Sequence, residues 1–327
     1  MKKLSFAGII CIIIAACNNG TNENIGSAWP DVKLDTLRQY DSLDLANLGY
    51  DVPPFSDSLI VEYPNGVRVI HRTVKIDSVL YYVVEGDLLM DEQEYMQYRI
   101  NTLFLEDFKL VMPPSADLRI DLDTANNTAV RWPENDTITF CINRNSFLNK
   151  TNYDLVKANM AAAINDWMGT CNVVFEYKPQ FDNSNYLYAN HDVDFVVLEY
   201  NANGNFIAKA FFPRYPDKRK NLLLDPTYYN TQFNKVGVLR HELGHVLGFR
   251  HEHISPDAPP ACPAEVISGT LALTTYDSIS VMHYFCGGAG TRELKISPND
   301  KLGASQLYGA PKPKPIASTA FVSRSFQ

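Results

Sequence analysis

The residues best suited to chemistry stand in one run, His241-Glu242-Leu243-Gly244-His245-Val246-Leu247-Gly248-Phe249-Arg250-His251. Two histidines four apart on a helix leave from one face, with Cβ atoms about 5–6 Å apart, so both imidazoles can reach one ion. Gly248 can take the positive φ that ends a helix and turns the chain back, which brings His251 toward the same ion. Three nitrogen ligands with a fourth position left to water is the layout of catalytic zinc. Glu242, beside the first ligand, is placed to take a proton from water whose pKa zinc lowers to about 7. The bland alternative, histidines at a helix end that bind nothing, makes both Gly248 and Glu242 coincidental. His71, His191 and His253 lie outside the run and are read as non-ligands.

The helix that must carry this run is expected over residues 232–249. Before it, strands are expected at 137–143, 173–177, 193–200, 206–212 and 222–224, with an amphipathic helix at 154–168 after Thr151 and Asn152 as candidate caps. Ser297-Pro298-Asn299-Asp300 opens a last helix with a cap and an N1 proline, and Gly309 ends it. These elements predict an α+β fold with a twisted five-stranded mixed sheet, a site-bearing helix and a C-terminal subdomain. Toward the N-terminus the pattern is strand-like at 59–62, 67–75 and 79–84, with Pro64-Asn65-Gly66 as a turn. Residues 90–110 look helical, and a polar seam over 113–130 marks the boundary between regions. The chain therefore divides into segments 1–17, 18–58 (a polar spacer), 59–120, 121–310 and a Pro-Lys-rich tail, 311–327.

Of the 327 residues, 46% are apolar and 20% charged, a composition that excludes a disordered chain, a collagen or a coiled-coil rod. Lys and Arg number 29 against 37 acidic residues, a net charge of −8, so the footprint of nucleic-acid binding is missing. Lys2 and Lys3 precede an apolar run ending in Ile14-Ala15-Ala16-Cys17, too short to span a bilayer and typical of an export signal. Its end resembles a bacterial lipobox, which implies lipidation of Cys17, a membrane anchor and a periplasmic or surface location; the alternative is an ordinary signal peptide. Four further cysteines, Cys141, Cys171, Cys262 and Cys286, suit an oxidising compartment and allow three pairings. Pairing Cys141 with Cys171 and Cys262 with Cys286 closes the shorter loops; four unpaired buried thiols are the alternative.

The run His-Glu-x-x-His-x-x-Gly-x-x-His resembles the signature of the metzincin zinc endopeptidases, whose second mark is a methionine turn. Ser280-Val281-Met282-His283-Tyr284 supplies that turn, and the resemblance makes Met282 the apolar floor beneath the metal. Glu252 directly after the third histidine, Tyr284 two after the methionine, and Arg131-Trp132-Pro133 are similar to the astacins. By that likeness Glu252 anchors the mature N-terminus, and Tyr284 is a mobile zinc ligand that stabilises an oxyanion. Residues 207–213 and 222–225 look more like the matrixin sheet. Segment 121–310 then becomes a zinc protease domain that binds a protein or peptide substrate as an added strand at 206–212. Segment 59–120 becomes a β-rich pro-domain.

Latency requires a group in the open zinc position, and residues 18–140 hold no cysteine to supply it. His71 is one candidate without a surrounding motif. Glu85-Gly86-Asp87 is similar to the astacin pro-peptide motif, in which the Asp replaces water on zinc; a plain Gly-Asp turn is the alternative. Activation is expected to cut within the seam, with Arg119 as a trypsin-like site. The rival to a protease is a non-catalytic surface lipoprotein stapled by zinc, which has no need of Glu242.

Overall fold

The computed structural model describes residues 58–62, 68–76, 78–84, 87–95, 117–123, 128–262 and 270–312. The export signal with Cys17, the spacer, the Asn65-Gly66 turn, Glu85, Gly86 and most of the tail lie outside the described residues. No helix among the described residues is long and apolar enough to cross a membrane.

Strands β1 (Ser58–Glu62), β2 (Arg68–Ile76), β3 (Val79–Val84) and β4 (Leu88–Met90) form an antiparallel meander. Strands β5 (Asp117–Asp123) and β6 (Thr128–Ala129) follow. Next come β7 (Thr137–Ile142), α1 (Lys150–Met168), β8 (Val174–Tyr177), β9 (Phe195–Glu199), β10 (Ala208–Lys209) and β11 (Asn221–Leu224). The chain continues with α2 (Lys235–Val246), β12 (Thr270–Thr274) and α3 (Pro298–Tyr308). The five-stranded sheet runs β10-β11-β9-β7-β8, parallel except for the antiparallel edge strand β10. This is the expected mixed sheet. Its edge strand is shorter than predicted, two residues rather than seven.

The central strands are apolar on both faces, because both faces are covered. Ile138, Phe140, Ile142, Phe195, Val197, Leu222 and Leu224 point into a core shared with α1 and α2. The alternate residues Cys141, Val196, Leu198 and Leu223 point into a second core, which Val74, Val83 and Leu89 of the meander complete. Tyr200 and Asn205 add hydrogen bonds to the carbonyls of Lys75 and Thr73. The N-terminal sheet is thus a third layer on the main sheet.

This period-two partition corrects one expected disulfide. Cys141 lies in one core and Cys171 in the other, on opposite faces of the sheet, so the two cannot meet. Both thiols are free, and burial pushes each up to about 12. The other pair, Cys262–Cys286, is bonded with its Cα atoms 5.0 Å apart.

Helix α1 buries the stripe Tyr153, Val156, Met160, Ala163, Ile164 and Trp167. It starts before the predicted point because Asn149, not Thr151 or Asn152, caps it through the Asn152 N–H at 2.9 Å. The expected boundary at 120/121 falls inside β5, which pairs with β12 from Asp117↔Thr274 to Asp121↔Thr270. A cut after Arg119 would sever that strand, and Arg119 is itself buried with its carbonyl accepting from Arg250 N–H at 2.7 Å. Arg119 is therefore corrected as a cleavage point. Of the helix expected at 90–110, Met90 belongs to β4 and residues 92–95 are helical; residues 96–110 lie outside the described residues.

Candidate metal centre

Helix α2 is capped by Asn234, whose side chain accepts from Gly237 N–H at 2.9 Å. It starts and ends three residues inside the predicted span, and residues 237–246 are all buried. Such a helix shows no amphipathic stripe, since it runs through the interior. Gly248 has φ +101°, and a Cβ there would lie 2.6 Å from the Val130 carbonyl oxygen. Only glycine fits this turn, which delivers His251 beside His241 and His245.

Two of the three histidines are oriented from behind. Nδ1 of His241 lies 2.7 Å from the Val281 carbonyl and Nδ1 of His245 lies 2.8 Å from the Phe249 carbonyl. Each Nδ1–H donates, so each Nε2 keeps its lone pair. Burial lowers the His245 pKa to about 4, so its ring is neutral. Nε2 of His245 and His251 are 3.1 Å apart. The Asp87 carboxylate points between them, its Oδ2 3.2 Å from His241 Nε2, 3.2 Å from His251 Nε2 and 3.6 Å from His245 Nε2. Burial disfavours this carboxylate, but the surrounding histidine rings, His251 foremost, outweigh it and hold its pKa well below the usual range.

These four atoms fit zinc. Ligands about 2.0–2.1 Å from a tetrahedral ion sit roughly 3.3–3.4 Å from one another, and the observed separations straddle that value. The donor set, three imidazoles and one carboxylate, suits zinc as well. Sequence spacing brought the histidines together as expected, and Asp87, 154 residues before His241, joins them. His191 is exposed, and His253 stacks on Tyr284 at 4.4 Å without entering the ligand set. The side chain of His71 lies outside the described residues.

Glu242 is buried beside the centre, and its Oε2 has no hydrogen-bond partner. Burial first, and the Asp87 charge second, raise its pKa well above the usual carboxylate value. The Tyr284 ring stands 4.4 Å from the His251 ring and 6.0 Å from the His241 ring. Met282 is fully buried under α2, where a Cβ on Gly244 would meet its Sδ at 2.3 Å. The methionine turn and the helix approach this closely because Gly244 has no side chain.

Several contacts that position the centre carried no local signal. Asp300 completes a capping box with Ser297, the part legible in sequence. The same carboxylate also accepts from Ser280 Oγ at 2.6 Å and Val281 N–H at 2.8 Å. It thereby fixes the carbonyl that orients His241. Glu252 accepts from Leu118 N–H at 2.8 Å and Asp277 N–H at 2.7 Å, linking β5 to the methionine turn. Lys209, on the edge strand, is 4% exposed, and burial lowers its pKa to about 7.

No curated protein matches the chain. A solved structure similar to it is high choriolytic enzyme 1, a hatching-enzyme zinc protease from the medaka fish Oryzias latipes. That likeness has 17% identity and a TM-score of 0.34, over 55% of this chain and 95% of that one. The matrixin family model matches residues 131–258. The matched stretch holds the five-stranded sheet, α2 and all three histidines, so over these residues the chain is similar to the matrixins.

Proposed function

We propose that the protein is a zinc endopeptidase acting on extracytoplasmic proteins and made as an inactive precursor. The observation that carries this reading is the buried set of three histidines and Asp87, whose ligand atoms all lie within 4.8 Å of one another, with Glu242 beside it. A bound zinc ion supplies Lewis acidity toward water and the scissile carbonyl. Glu242 Oε2 accepts the proton of the attacking water and returns it to the leaving amine. The Tyr284 hydroxyl donates to the oxygen that becomes negative as the carbonyl is attacked. The substrate lies along β10 as an added antiparallel strand, whose main-chain hydrogen bonds give affinity.

In the precursor Asp87 holds the position that water needs, so latency and the metal share one site. Maturation is best placed upstream of β5, between residues 95 and 117, rather than after Arg119. Glu252 already accepts from the Leu118 N–H near the start of that strand, so a free amino group at the head of β5 would add a charge-assisted contact. A lipid on Cys17 would tether the precursor, and the cut would release the protease domain into the soluble fraction.

Hydrolysis of casein by the processed protein should disappear with 1,10-phenanthroline and return with zinc. Tight zinc binding with no hydrolysis would instead favour the zinc-stapled lipoprotein. Tyr284→Phe should lower kcat by about 10- to 100-fold with little change in KM, because its hydroxyl acts on the transition state. Steady-state kinetics on one peptide decide this: a change in KM alone assigns Tyr284 to binding.

A further inference from the structure

The segment that brings Asp87 to the histidines also lies against cations that the reaction above does not use. Arg219 stands in the turn before β11, and its guanidinium donates to the Leu89 carbonyl and to the Glu94 carboxylate. It stacks over Tyr215 at 4.2 Å and is 12% exposed. Lys209 of β10 is buried within Coulombic reach of Arg219, Glu94 and Glu242. The neighbouring Arg214 and Arg250 both pair with Asp121 of β5. Arg219 differs, because its carboxylate comes from the segment that must leave.

We infer that Arg219, with Lys209 beside it, forms a subsite that selects an acidic side chain on the substrate, and that Glu94 occupies it in the precursor. This rests on the peptidase reading. A substrate must take the place of Asp87 at the metal, and Leu89 is only two residues further, about 7 Å along an extended chain. Any peptide in this groove therefore passes Arg219 within a few residues of the bond to be cut. Departure of residues 87–95 strips Arg219 of a carboxylate and a carbonyl, while Tyr215 stays to hold its plane. A planar fork held in place by an aromatic ring matches a carboxylate bidentately, and a neutral amide of the same shape gains less.

The test uses enzyme activated from the full-length, zinc-loaded precursor. Quenched fluorescent peptides carry one Glu at successive positions around a single cleavable bond, each with a Gln twin. At one position kcat/KM should favour Glu at least tenfold, about 1.4 kcal/mol. Arg219→Glu should abolish that preference and favour Lys at the same position, a reversal that also shows the variant is folded. Equal rates for every Glu/Gln pair, or a preference that survives Arg219→Glu, would overturn the subsite while leaving the peptidase intact. Failure to cut any peptide would instead overturn the peptidase reading, and the subsite with it.

Discussion

Glu242→Gln should lower turnover by about 10²- to 10⁴-fold, the usual worth of a general base, while one zinc per chain stays bound. The amide is nearly the same size but cannot accept the proton of the attacking water. It is also not among the four groups that converge on the metal position. The fold should tolerate the change, since the carboxylate is buried with one oxygen unpaired and burial already disfavours its charge. His245→Ala separates the two roles, because it should lose metal and activity together. Metal analysis beside peptide hydrolysis decides the matter. Near-normal hydrolysis by Glu242→Gln would remove it from the mechanism, and loss of zinc would recast it as a structural support.

The parts of this centre legible in the sequence are those fixed by short spacing. His241 and His245 share a helix face, and Gly248 ends that helix within reach of His251, so eleven consecutive residues specify three ligands. Ser297 and Asp300 likewise announce a helix start. Long-range partners have no such signature. Nothing near Asp300 signals Val281, and nothing near Glu252 signals Leu118. The Cys141–Cys171 pairing failed for a related reason, since loop length says nothing about which sheet face a thiol occupies. Asp87 was legible only through a Gly-Asp resemblance, although the structure places it at the centre. The short edge strand shows a limit of apolar patterning. Residues 206–212 are apolar because Phe206, Ala208, Ala210, Phe211 and Phe212 are buried, yet only Ala208 and Lys209 pair as strand.

Asp87→Ala in the uncleaved, zinc-loaded precursor should raise hydrolysis of short peptides at least tenfold and speed self-processing. The wild-type carboxylate sits 3.2–3.6 Å from all three Nε2 atoms, so its loss opens the fourth position to water. The segment around it should stay docked. Leu88–Met90 still pairs with β3, Arg219 still holds Leu89 and Glu94, and Val74, Val83 and Leu89 still share a core with Val196, Leu198 and Leu223. The gain should therefore be larger for small peptides than for casein, because the groove stays occupied while the metal position is open. The comparison of the two substrates carries the argument. If Asp87 is the latency ligand, short-peptide activity rises before any processing is visible. A folded variant as silent as the wild type would assign latency to the docked segment and its Arg219 clamp instead. On the precursor reading, the shared core also orders the events of activation. A single cut between residues 95 and 117 would leave Val74, Val83 and Leu89 buried against the main sheet, so Asp87 would have to leave the histidines before such a cut could open the site.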